Sequence, residues 1–387
     1  PSVQAAWVKD RWAFQFNFAL VGGGGKAEFE QGMGSFESQV ALLGLVGQRM
    51  AAVMPALGFN KYKVDAYMHG KQYYFGTTLG TSYRINDNFS VYGGLRGVYA
   101  TAHYYGYLKN IQINPGSGNN FVSAPAFFAQ TAKALQPAVA VNPTLAPRLR
   151  QLSVLAAATQ DVTLNTDQSA FGFAPIVGAH FHSQYFDASA KYEFRTRVAF
   201  KNESANSQSA ENLTALAAYR DGAEVRSDIP ALLTVGAQVR PIEGLRLNLG
   251  YHQYFDKQAK SGVKGAYRNE LLKGGTKEYL FGAEYDLTKK WEISAGVQRT
   301  VYPNSDEYMN DLTFTTNSTS LGLGVGYQVN EKVKVNAGYF KTFYDTYNKV
   351  SQNYNNVANI IGLAEGADRA LQLVESGAVK GSDTFTR

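Results

Sequence analysis

His180 and His182 are the side chains whose type and spacing come nearest to chemistry. Two positions apart on a strand, they project from one face, and a pair of imidazoles is half of a zinc site. Two histidines alone do not hold the metal, and no carboxylate stands at a spacing that completes the set. The chain has no cysteine, so thiolate ligands and a disulfide framework are both excluded. A Ser/His/Asp hydrolase needs a placed nucleophile, and no local motif marks one. The run Gly22, Gly23, Gly24, Gly25, Lys26 could suggest a phosphate loop. Lys26 is followed by Ala27, without the Ser/Thr and fixed glycine spacing that such a loop requires. The reading is therefore of a protein without a catalytic centre, a metal or a cofactor.

Charged side chains fall instead into an alternating pattern. From Phe186 onward, Phe186, Ala188, Ala190, Tyr192, Phe194, Val198 and Phe200 share one face, and Asp187, Lys191, Glu193, Arg195 and Arg197 share the other. Period two belongs to a strand with one apolar and one wet face. The rhythm returns in Leu245, Leu247, Leu249 and Tyr251, in Trp291, Ile293, Ala295 and Val297, and in Val333, Val335, Ala337, Tyr339 and Phe343. Six short polar turns join such runs in pairs: residues 3–8 with 12–21, 73–85 with 89–107, a strand ending near 182 with 186–200, 229–240 with 245–254, 279–287 with 291–301, and 321–329 with 333–344. Asn, Asp and Gly crowd these turns because they tolerate a tight backbone.

Long connections separate the pairs, at about 22–70, 108–165, 201–227, 256–276, 302–318 and 346–387. Short turns on one side and long loops on the other are the pattern of a bacterial outer-membrane barrel. The expected fold is all-β: a transmembrane antiparallel β-barrel forming one domain over residues 1–387, with about twelve strands visible and helical segments in the extracellular loops. The apolar face then meets lipid. Asp187, Lys191, Glu193, Arg195 and Arg197 face the lumen, where charges at membrane depth line water or pair with protein groups. Trp7, Trp12 and Trp291 all lie near short turns, as an amphipathic ring at the interface should.

Composition agrees. A mean hydropathy of −0.26 and 18% charged residues resemble a soluble protein. A barrel whose strands are half polar hides in the same way. The 38 glycines, 25 tyrosines and 23 phenylalanines suit close strand packing and aromatic interfaces. The formal charge of +6 is scattered among acidic residues, so no nucleic-acid patch forms. The partners expected from this class are outer-membrane lipid and lipopolysaccharide. No signal peptide is present, and since Pro1 already reads as strand, an amino-terminal segment is expected to have been removed.

The segment Trp12-Ala-Phe-Gln-Phe-Asn-Phe-Ala-Leu-Val-Gly22-Gly23-Gly24-Gly25-Lys26 resembles the FadL/TodX family of outer-membrane transporters for hydrophobic compounds. So does the layout that follows, with long helical loops and then Asn88-Phe-Ser-Val-Tyr-Gly-Gly-Leu-Arg-Gly-Val. The likeness spans nearly the whole chain as strand rhythm and loop size. It implies fourteen strands and an amino-terminal plug. Twelve visible strands and one beyond each end make fourteen, which places the plug and the final strand outside this sequence; a complete chain would instead close a twelve-strand barrel.

The resemblance further implies an apolar groove between two long loops, a lumen site near the plug, and a sideways exit where the third strand is kinked. Residues 12–21 correspond to that strand, and Gly22, Gly23, Gly24 and Gly25 could free its upper end or simply begin a loop. The groove loops are 108–165, with Phe127, Phe128, Leu135 and Leu149 and with Pro137, Pro143 and Pro147 breaking it into short helices, and 201–227, with Leu213 and Leu216. Residues 36–54 read as a further apolar helix, lying against the outer leaflet. The function implied is passive uptake of fatty acids or aromatic hydrocarbons by a monomer, or by one member of a larger complex, with no enzyme activity. A general diffusion porin and a structural or secretion docking platform are the competing functions.

Overall fold

The alternation builds one large antiparallel sheet. We describe it from a computed structural model over residues 2–310, 313–365 and 367–386. Strand β1 (Ser2–Lys9) turns at Asp10, whose φ of +54° an Asp tolerates, into β2 (Trp12–Phe29). Helices α1 (Gly34–Ala41) and α2 (Leu43–Val53) lead to β3 (Tyr62–Arg84) and β4 (Phe89–Ile113). A short β5 (Val122–Ser123) precedes α3 (Ala124–Val141) and α4 (Ala146–Ala158). Strand β6 (Val162–His182) returns beside β4 and turns into β7 (Phe186–Glu193), which an irregular stretch separates from β8 (Ala199–Ser204).

Helix α5 (Gln208–Asn212) and β9 (Glu224–Ser227) follow, then the pair β10 (Leu232–Val239) and β11 (Leu245–Tyr254). A small hairpin of β12 (Ser261–Val263) and β13 (Ala266–Tyr267) leads to β14 (Lys277–Asp286), β15 (Trp291–Val301), β16 (Ser318–Asn330) and β17 (Val333–Tyr344). The last segment folds as β18 (Tyr347–Ser351), α6 (Val357–Glu365), α7 (Ala367–Glu375) and β19 (Gly381–Phe385), with β18 and β19 paired.

Neighbouring registers run β1, β2, β3, β4, β6, β7 with β8, β10, β11, β14, β15, β16, β17. Counting β7 and β8 as one, these are the twelve strands read from the sequence. Among the described residues no register joins β1 to β17.

The outward face carries a continuous apolar band. On β4 it runs through Phe89, Val91, Leu95 and Tyr99, and on β6 through Val177, Phe173 and Phe171, all exposed. Ten residues of tilted strand give a band about 25 Å tall, the thickness expected of an outer-membrane barrel. Leu249, Val297 and Val335 are exposed on this face. Asn248, Gln298 and Lys334 instead bond Gln238, Glu278 and Glu292 on the inner one. Trp12 lies 4.6 Å from Tyr83 and Trp291 4.5 Å from Tyr327, centroid to centroid, beside the short turns. No described helix is long and apolar enough to cross a membrane.

Three expectations need correction. Strands β2, β3, β4 and β6 extend well past the apolar band, so the connections expected at 22–70 and 108–165 are shorter than the pattern implied, whereas those at 256–276 and 302–318 fall where expected. Above the membrane both faces are wet, and alternation no longer marks a strand. Pro137 does not break α3, which continues to Val141, whereas Pro143 and Pro147 do open new helical segments. Val198 and Phe200 do not face lipid; they are fully buried on the inner side.

Candidate functional site

The apolar loop residues gather above the long-loop end of the barrel. Phe128 is fully buried, with its ring 6.0 Å from Phe59 and 5.6 Å from Phe127. Val40 and Leu43 from the first helical loop, Ile111 and Ile113 from the top of β4, and Leu152 from α4 complete the core, while Leu135 and Leu149 pack against it. Two glycines permit this approach: a Cβ at Gly47 would stand 2.1 Å from the Phe59 carbonyl oxygen, and one at Gly58 2.3 Å from the Ala51 Cβ.

Asn114 ties the loops together beneath the cluster. Its Oδ1 accepts from the Asn60 and Lys61 backbone N–H groups at 3.1 and 2.7 Å, and its Nδ2 donates to Asn60 Oδ1 and the Gly118 carbonyl at 2.8 and 2.9 Å. A fully buried amide with all its bonds made is a rigid hub. Nothing in the sequence singled it out, because Asn60 and Lys61 lie 54 and 53 residues away.

The structure thus brings Phe127, Phe128, Leu135 and Leu149 together, and the second loop that packs on them is residues 34–59 rather than 201–227. Leu213 and Leu216 lie in another loop, outside this cluster. That loop turns downward: Tyr219 stacks edge-on against Tyr104 at 5.5 Å, and burial raises the Tyr219 hydroxyl above its ordinary pKa.

Below it the wall itself bends inward. Between Ile176↔Glu193 and Ser169↔Lys201, six residues of β6 face seven of the adjoining strand. One extra residue reverses which face each side chain meets. Thr196 leaves β6 and exchanges backbone bonds with Ile229 at 3.1 and 3.0 Å. A Cβ on Gly172 would be 2.3 Å from the Arg197 carbonyl oxygen, so the segment crosses over the inner face of β6. Val198 and Phe200 then pack with Tyr74, Val98, Ala100 and Ala170, and the Tyr74 hydroxyl donates to Ser227 Oγ at 2.7 Å.

The charges expected in the lumen divide at this bend. Asp187 accepts from His182 and Arg240, Lys191 and Arg96 hold Glu193 at 2.6 and 2.7 Å, and Arg195 lies 3.7 Å from Asp228. Arg197, past the inserted residue, takes the face opposite Val198 and reaches Glu224 at 3.8 Å. A second network was not anticipated. Arg246 binds Glu284, Asp286 and Glu292 at 3.1, 2.8 and 2.7 Å, and Lys334 shares Glu292. His180 and His182 have only Asp187 nearby, and among the described residues no group of three or more His, Cys, Asp or Glu could hold a metal ion.

Gly22, Gly23, Gly24 and Gly25 form a double bulge. The β2–β3 register slips once between Leu20 and Gly22 and again between Gly22 and Gly25. Two slips cancel, so Leu20 and Lys26 remain on the same outer face. Gly23 has φ +108°, and a Cβ there would be 2.2 Å from the Gln72 carbonyl oxygen.

Residues 73–372 match the family of outer membrane transport proteins described as OMPP1/FadL/TodX. The chain belongs to this family. Solved relatives agree in fold. A Pseudomonas aeruginosa FadL homologue superposes with a TM-score of 0.57 at 14% identity, covering 92% of this chain and 72% of its own. The P. putida toluene transporter TodX gives 0.52 at 10% identity over 90% and 77%, and the Ralstonia pickettii toluene transporter TbuX 0.51 at 12% over 90% and 76%. Among curated proteins none matches by sequence. As a FadL/TodX protein this chain is an outer-membrane transport barrel rather than an enzyme, and its short turns face the periplasm.

Proposed function

We propose that this FadL/TodX barrel mediates passive uptake of hydrophobic small molecules, of the fatty-acid or monoaromatic class, across the outer membrane. The observation that supports this most is the apolar cluster over the mouth. Phe127, Leu135 and Leu149 are only partly buried around a dry core of Phe59, Phe128 and Leu152. Apolar surface held at the water side of a transport barrel suits capture of a greasy ligand. The groove is then bounded by the loops at 34–59 and 114–161, with Leu213 and Leu216 lining the descent towards the inward bend. A plug within the lumen and a sideways exit beside the Gly22, Gly23, Gly24 and Gly25 bulge complete the route, since the bulge loosens the ladder at the upper edge of the apolar band.

The test is uptake of a radiolabelled fatty acid and of toluene into proteoliposomes, with native mass spectrometry of the purified protein for co-purified lipid or hydrocarbon. Carrier-independent flux without bound apolar ligand would reject the reading. The polar Arg246 network favours one alternative, a diffusion porin. Equal flux of small sugars and apolar molecules would point there.

A further inference from the structure

Above the apolar band, the outward faces of five strands align charged side chains in one cross-strand row. Lys26 stands opposite Lys71, Lys71 opposite His103, His103 opposite Asp167, and Asp167 opposite Glu203. Like charges directly opposite across a ladder repel, as Lys26 and Lys71 do at one end of the row and Asp167 and Glu203 at the other. Lys26 is engaged by Glu28 at 2.7 Å and His103 by Asp167 at 2.8 Å. Lys71 and, one row below, Lys201 have no carboxylate within 4.0 Å among the described residues.

These two lysines line one shallow hollow of about 290 Å³ with Tyr99, Thr101, His103 and the carboxylates Asp167 and Glu203. Directly beneath it the row Leu20, Phe75, Tyr99 and Phe171 is exposed and apolar. From Tyr99 to His103 the strand rises about 13 Å, or roughly 10 Å along the membrane normal after tilt. The headgroup zone begins at the top of the apolar band, a few ångströms below that height, and a lysine stem can reach down to it.

We propose that this hollow holds the phosphate of an outer-leaflet lipid between Lys71 and Lys201, with the acyl chains lying over Leu20, Phe75, Tyr99 and Phe171. An anion there relieves the repulsion between facing cations, and the apolar row below distinguishes a lipid from free phosphate. These side chains point away from the lumen, on the lipid side of the wall beside the glycine bulge that pairs with Gln72 and Tyr74.

The full chain in phosphatidylcholine nanodiscs is titrated with diphosphoryl lipid A, with the dephosphorylated lipid carrying the same chains, and with inorganic phosphate, read by native mass spectrometry. The phosphorylated lipid should bind in preference to the dephosphorylated one. Lys71→Gln/Lys201→Gln should weaken it about tenfold, Lys71→Arg/Lys201→Arg should retain it, and Lys289→Gln/Lys290→Gln at the opposite rim should leave it unchanged. Equal binding of the two lipids, an equal loss in the opposite-rim variant, or displacement by millimolar inorganic phosphate would each overturn the assignment. Heat-modifiable migration confirms that every variant is folded.

Discussion

The carboxylate of Asp228, whose side chain is fully buried, accepts the backbone N–H of Val198 at 3.1 Å, where the wall leaves its ladder and crosses into the lumen. Leaving a ladder strands backbone donors, and each needs a new acceptor. Asp228 supplies one for Val198, and Arg226 neutralises it through Nη2 contacts of 2.7 Å to both oxygens. Breaking a buried pair leaves one uncompensated charge. Asp228→Ala is therefore expected to cost about 3–5 kcal/mol, measured by urea unfolding in detergent. A loss below about 1 kcal/mol would mean that water replaces the carboxylate.

Sidedness of the strands gives a second prediction. Leu249→Arg places a cation on the outer apolar face, whereas Asn248→Arg places it among polar inner groups. The first should destabilise the folded barrel in lipid by about 2–4 kcal/mol and the second by much less. Equal costs would contradict the inner and outer assignment.

The glycine bulge offers an internal comparison. Gly23→Ala must displace the Gln72 carbonyl and adopt a φ that L residues avoid, while a Cβ at Gly24 meets nothing within 4 Å. Gly23→Ala should cost more than about 1 kcal/mol, and Gly24→Ala little. If the sideways exit lies here, Gly23→Ala should also change the rate of hydrophobic uptake without changing ligand affinity at the loops.

Phe127 and Phe128 separate capture from stability. Phe128 is fully buried, so Phe128→Ala should cost about 3–5 kcal/mol within the loop unit, seen as proteolysis of residues 114–161 around an intact barrel. Phe127 is partly exposed. Phe127→Asp should weaken apolar ligand binding about tenfold or more while the loops stay protease-resistant. Unchanged affinity in Phe127→Asp and Leu135→Asp together would remove the capture site from this cluster.

Period two and turn chemistry determined the barrel, its twelve strands, its outer and inner faces and the side on which the long loops lie. Residues such as Leu247, Asn248, Val297 and Gln298 carry that information locally, because lipid and water sort alternate side chains. Tertiary structure alone decided where the alternation changes phase. A single inserted residue between Glu193 and Lys201 turned Val198 and Phe200 inward and Arg197 away from the lumen, and its position depends on Ile229 and Asp228, some 30 residues onward. The companions of Phe128 were equally illegible. Apolar loop residues announce that they must be covered, but the covering helices came from residues 34–59 because Asn114 and two glycines let those loops meet, and such contacts between distant segments leave no periodic trace in the chain.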